Sequence, residues 1–200
     1  VRKLALKTVT FLGCGSWGGA LGNLLSEKGL VVTMWHRSFD VVNHLLDTKT
    51  HYLIPELIFP ANVHFTYDIS SAIQSSEIIV LALPSQSIRN VITKNKSSFN
   101  KNHIIVNVSK GIEIDTLMTV SEVINDVLDG QHKSVVTLSG PSHAEEVISG
   151  HPTTLVAASN DVQTAEIIQN LFATEKLRTY LNRDIRAVSY THLTLPTNSN

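Results

Sequence analysis

Thr8-Val9-Thr10-Phe11-Leu12-Gly13-Cys14-Gly15-Ser16-Trp17-Gly18 sets an apolar run directly before the pattern Gly-x-Gly-x-x-Gly, and a helical stretch follows as far as Lys28-Gly29. Each glycine has its own use in such a context. Gly13 permits the tight turn, Gly15 lets a pyrophosphate approach the backbone, and Gly18 lets the helix pack close to the strand. Unsatisfied N–H groups at the helix start then face the phosphates. Glycines in a turn would be unremarkable alone, but a strand before, a helix after and a second strand at Val31–Trp35 make dinucleotide binding the reading. No Gly-Lys-Ser/Thr follows, so this is not a Walker loop.

Outward from that loop, short β-branched runs alternate with helical stretches, as expected when a parallel sheet is covered on both faces. The fold class is α/β, a Rossmann-type doubly wound, mostly parallel sheet. Strands are expected at Thr8–Leu12, Val31–Trp35, Val63–Thr66, residues 78–83, 104–108 and 135–138, and Thr153–Ala158; helices are expected to begin near Ser16, Phe39, Ser70, Ser85, Thr116, His143 and Asp161. The run from Ile78 is apolar throughout, which suits a central strand buried on both faces. Residues 48–60, with two prolines and no clean period, read as a loop or short excursion. After Asn182-Arg183-Asp184 the chain continues neither pattern. Residues 1–184 therefore read as the dinucleotide-binding domain, and 185–200 as a truncation scar or read-through, with a disordered native terminus as the alternative.

Composition narrows the partners. The 200 residues carry 42% apolar and 16% charged side chains, with sixteen Lys and Arg against seventeen Asp and Glu and a formal charge of -1. That balance gives no drive toward nucleic acid or an anionic membrane, so an anion site must be local. No apolar run approaches the ~20 residues of a membrane helix, and the basic start leads into glycines rather than a signal core. The single cysteine, Cys14, cannot form an internal disulfide. A cytoplasmic protein is expected. Nine histidines show no metal-ligand spacing, and no metal is expected.

The second strand ends in Trp35-His36-Arg37, where an acid would normally bind the ribose hydroxyls and enforce NAD. A cation there suits a 2′-phosphate, so NADP should be accepted as well as NAD. Alternatively, Arg37 is an ordinary surface arginine and Asp40 serves the ribose. Lys110 follows a strand at the sheet's carboxyl edge and could present a compact cation to an anionic substrate or a carbonyl oxygen; a solvated turn lysine is the plainer account. Gly140-Pro141-Ser142 lies between strand and helix and could hold hydroxyl or phosphate oxygens, or be simply a turn and cap. Trp17 suits core packing and cofactor contact equally. His143 and Glu146 read as a solvated first turn.

Four blocks in order are similar to one family: Gly15-Ser16-Trp17-Gly18, Val80-Leu81-Ala82-Leu83-Pro84-Ser85, Ser109-Lys110-Gly111-Ile112-Glu113 and Ser139-Gly140-Pro141-Ser142. Over about residues 8 to 184 the chain resembles bacterial-type NAD(P)-dependent glycerol-3-phosphate dehydrogenases. The resemblance implies that Gly13, Gly15, Ser16, Trp17, Gly18, His36, Arg37, Tyr52, Lys110 and Ala144 line the cofactor site, Tyr52 being the weakest carry-over. It implies that Lys110, Gly140 and Ser142 contact the substrate, with Lys110 nearest the chemistry. The implied reaction reduces dihydroxyacetone phosphate to sn-glycerol 3-phosphate for phospholipid synthesis. The family's general acid is a second lysine in a Gly-Ala-Leu-Lys-Asn segment of a helical C-terminal domain, which also supplies an Asp and an Arg; this sequence has no such segment. The chain is thus expected to bind cofactor without full catalysis, and the resemblance leaves a homodimer of the full-length protein open. Another two-domain dehydrogenase, or a non-catalytic dinucleotide sensor, remains an alternative.

Overall fold

A computed structural model describes residues 7–191. Strand and helix alternate along the chain: β1 (Thr8–Leu12), α1 (Ser16–Glu27), β2 (Val31–Trp35), α2 (Phe39–Thr48), β3 (Val63–Thr66), α3 (Ile69–Gln74), β4 (Ile78–Leu81) and α4 (Ser85–Lys94). There follow β5 (Ile104–Asn107), α5 (Val120–Leu128), β6 (Ser134–Ser139), α6 (Ala144–Ile148), β7 (Thr153–Ala158), α7 (Val162–Phe172), β8 (Leu177–Asn182) and α8 (Ile185–Thr191). The strands form one sheet in the order β3-β2-β1-β4-β5-β6-β7-β8. Pairing is parallel except between β6 and β7. The order reverses between β1 and β4. At such a switch point the loops leaving neighbouring strands diverge to opposite faces and open a crevice at the carboxyl edge.

The core follows from side chains that alternate across the sheet. Phe11, Val80 and Val106 join Leu21 and Leu25 of α1 and Phe172 of α7 in one buried cluster. Leu12, Ile79, Leu81 and Ile105 join Ile88 and Ile92 of α4 and Ile124 of α5 in the other. All four residues of β4 and of β5 are buried, which explains their unbroken apolar reading.

Several expectations need correction. The strand from Ile78 stops at Leu81, and Ala82–Pro84 leave the sheet toward the cleft. The fifth helix starts at Val120 rather than near Thr116, because Thr119 and Glu122 form a capping box while the Thr116 hydroxyl goes to Glu113. Strand β8 was not anticipated. It lies at the sheet edge with Arg178, Tyr180 and Asn182 exposed, so it lacks the apolar run that marks the inner strands. Nor do residues 185–191 lack a pattern: they form α8, started by the Asp184 carboxylate accepting from the Ala187 N–H at 2.7 Å, with Val188 buried. The rest of the expected tail lies outside the described residues.

Candidate functional site

Two of the three loop glycines answer to the protein itself. Gly13 sits at φ 113°, and a Cβ there would strike the Ala82 carbonyl; a Cβ on Gly18 would strike the Gly13 carbonyl. Those contacts hold the start of α1 against the loop. Gly15 differs, because a Cβ built on it would meet no atom within 4 Å and its φ of −76° suits any residue. It borders open space at the N-terminus of α1, whose N-cap position makes no side-chain hydrogen bond. The first N–H groups of a helix need partners from outside it.

Two adjoining clefts meet over Ala82-Leu83-Pro84. The first, of about 300 Å³, is lined by Gly13, Cys14, Gly15, Trp35, His36, Arg37 and Tyr52 among others. Arg37 lies exposed at its wall, whereas Asp40 does not line it. Ser38 N donates to His36 Nδ1 at 3.1 Å, so the ring's proton is on Nε2, 3.5 Å from Tyr52 Oη. Burial lowers the His36 pKa and raises that of Tyr52. Cys14 is also buried, its thiol pushed up to about 12 and donating to Met34 Sδ at 3.4 Å, so it is an inert packing group.

The second cleft, of about 380 Å³, is lined by Ser16, Trp17, Lys110, Ser142 and Ala144 with the strand-end residues around them. Trp17 packs partly on the core and also lines this cleft. Lys110 is exposed, and its Nζ donates to the Ser142 carbonyl at 3.2 Å. Ser142 is buried; its hydroxyl donates to Thr154 O and its N–H to Gly140 O. Gly140 does not line this cleft: a Cβ there would strike Thr154 O, so glycine lets the turn lie against β7. His143 caps its own turn by donating its N–H to Glu146 at 3.1 Å.

Sequence reasoning missed what holds the Lys110 turn. Gln86, in the first turn of α4, donates to Ile112 O at 2.6 Å and accepts from Ile114 N at 3.1 Å. Arg89, one turn on, grips buried Glu113 through three hydrogen bonds of 2.9–3.0 Å and also reaches Asp126 of α5. Hydrogen bonds from Arg89 and Thr116 keep the Glu113 carboxyl below its usual range. His51 was missed as well, and lies buried beneath the glycine loop. Among the described residues, no three of His, Cys, Asp or Glu gather where they could hold a metal ion, and no helix is long and apolar enough to cross a membrane.

Sheet order, glycine loop and paired clefts define the class: a Rossmann-type dinucleotide-binding domain. Within it, the chain belongs to the family described as NAD-dependent glycerol-3-phosphate dehydrogenase N-terminus, matched over residues 8–165. It is 44% identical over 184 residues to glycerol-3-phosphate dehydrogenase (NAD(P)+) of Clostridium perfringens, covering 92% of this chain and 55% of that protein. The corresponding protein of Lysinibacillus sphaericus is 41% identical over 187 residues, with the same coverage. The crystal structure of glycerol-3-phosphate dehydrogenase from Coxiella burnetii superposes with a TM-score of 0.83 at 28% identity, over 88% of this chain and 54% of that one. The chain spans about half the length of these relatives.

Proposed function

We propose that this chain forms the cofactor-binding half of a glycerol-3-phosphate dehydrogenase, taking NADPH or NADH and interconverting dihydroxyacetone phosphate and sn-glycerol 3-phosphate. The observation that carries this reading is Gly15: no neighbour requires a glycine there, yet a side chain would fill the space at the uncapped start of α1. That cradle fits a pyrophosphate. The substrate is inferred from the relatives, which are glycerol-3-phosphate dehydrogenases.

Gly15, Ser16, Trp17 and Gly18 would hold the pyrophosphate on N–H groups, with Gly13 shaping the turn. His36, Arg37 and Tyr52 border the cleft at the end of β2, where the adenosine ribose would lie, and Arg37 offers a 2′-phosphate its fork of donors. A bound nicotinamide supplies or accepts the hydride. On the protein side, Lys110 places a positive charge in the second cleft, fit to hold an anionic substrate or steady a developing oxyanion. Ser142 supplies a carbonyl that aims Lys110, Gly140 keeps that turn against β7, and Ala144 leaves space at the start of α6. The proton donor for the substrate oxygen would come from the half of the relatives that this chain does not span.

We further propose that the family domain ends at residue 184, with α8 packed on its sheet as a following segment, that the protein is cytoplasmic and that the full-length form can pair as a homodimer. The test follows NADPH oxidation by excess dihydroxyacetone phosphate, comparing this chain with one extended by a relative's second half. Turnover by the extended chain at least ~100-fold above the shorter is expected, since positioned proton transfer contributes on that order. Equal turnover, or none from either, refutes the division of labour.

A further inference from the structure

Residues 49–59 form a strap beside the glycine loop, closed by a Thr50–Ile58 bridge and by Phe59 N donating to Lys49 O at 2.8 Å. His51 is its inward residue, 1% exposed. Its Nδ1 accepts from two strap amides, Leu53 N at 3.1 Å and Ile54 N at 3.2 Å. That leaves the ring's proton on Nε2, which lies 3.3 Å from the Gly15 carbonyl. The ring stacks on Tyr52, with centroids 5.0 Å apart, and packs near Phe59. It also accounts for a glycine that the loop motif does not require: a Cβ on Gly19 would come within 2.6 Å of His51 Cδ2.

The Gly15 carbonyl shares a rigid peptide plane with the Ser16 N–H, and the two point in opposite directions. That carbonyl already accepts the Gly19 N–H of α1 at 2.7 Å, so the His51 Nε2–H is its second donor, and the two together fix the Ser16 N–H, the first unpaired donor of α1, on the other side. We propose that His51 is a positioning residue for the phosphate loop, its Nε2–H holding the Gly15 carbonyl so that the loop and the Tyr52 strap form one body on which dinucleotide affinity depends. This rests on the dinucleotide reading above and goes beyond it by naming what sets the loop's donors.

Two substitutions separate the ring's two nitrogens. H51Q can place an amide N–H near the Nε2 position and keep a donor for Gly15, whereas H51N keeps an acceptor for the strap amides and offers no donor that reaches Gly15. NADPH dissociation constants from fluorescence titration, with circular dichroism melts as the fold check, should show H51N weakened about tenfold and H51Q within about threefold of the parent, the scale of one buried hydrogen bond. Parent-like affinity in H51N, or equal loss in both variants while both stay folded, overturns the proposal. In the ligand-free parent, long-range proton–nitrogen NMR should find the His51 Nε2 protonated and Nδ1 bare. The opposite tautomer or a charged ring at neutral pH overturns it even if a variant fails to fold. A parent that binds no NADPH overturns the dinucleotide reading and the affinity claim with it, while the ring spectrum still judges the contact with Gly15.

Discussion

The loop at Gly13–Gly18 keeps its shape through side chains it lacks, while the turn from Ser109 to Met118, across Ala82–Pro84, keeps its shape through side chains it has. In the first, backbone carbonyls fill the places where the Cβ atoms of Gly13 and Gly18 would stand. In the second, Gln86 and Arg89 of α4 reach over and hold backbone and carboxylate. The contrast has a physical lesson. A backbone clash is close to all-or-none because neither party can rotate away, whereas a network of side-chain hydrogen bonds loses strength one bond at a time.

The largest effect is expected at Gly13. Gly13→Ala combines a positive φ with a collision against Ala82 O, and should cost about 3 kcal/mol or more of stability in urea unfolding. A loss below about 1 kcal/mol would mean the loop relaxes, and the contrast would collapse. Next comes Arg89→Leu, which leaves Glu113 buried without its main partner; about 2 kcal/mol should be lost, with Arg89→Lys in between. If lysine serves as well as arginine, the forked geometry is irrelevant to the turn.

Charge reversal at Arg37 should leave both regions intact and act on ligand choice. Arg37→Asp is expected to shift the ratio of NADPH to NADH dissociation constants about tenfold toward NADH, and an unchanged ratio would return Arg37 to the role of a surface residue. Acid should separate the regions by the smallest margin. Burial first of all lowers the pKa of His36 and His51, and of His103 and His132 elsewhere, from 6.5, so the unfolded chain binds protons that the native state does not. Their contribution is whole above pH 6.5 and drains away as pH falls through the native values. Glu113, held low by Arg89, contributes above 4.5 and loses its share only below that. Amide exchange should therefore accelerate in the strap and glycine loop at higher pH than in the Lys110 turn. Simultaneous loosening would contradict this order.

Legibility in the sequence follows the same divide. The glycine loop could be read because each glycine answers to a local backbone need, and the inner strands because burial on both faces leaves no polar position. Gln86, Arg89 and His51 could not, since they act on residues 24 to 37 positions away and share no local pattern with them. Matching histidines only against metal-ligand spacing passes over His51. The available signal was Gly19, a second consecutive glycine inside a helix, which costs about 1 kcal/mol against alanine and so invites the question of what lies above it. Strand β8 and helix α8 escaped for different reasons: β8 pairs at the sheet edge, where exposed polar positions dilute any period, and α8, with seven residues, is too short to show one.

The central claim, that the cleft at the β1–β4 switch point binds a dinucleotide, is tested most directly by titrating NADPH into the chain and its Gly15→Val variant while melting both. Gly15 has space around it and an ordinary φ, so the variant should melt within about 0.5 kcal/mol of the parent, in the range of neutral surface changes. It should lose NADPH binding by at least ~100-fold, because the new side chain occupies the cradle. Equal affinity in a folded variant would place the dinucleotide elsewhere and contradict the account.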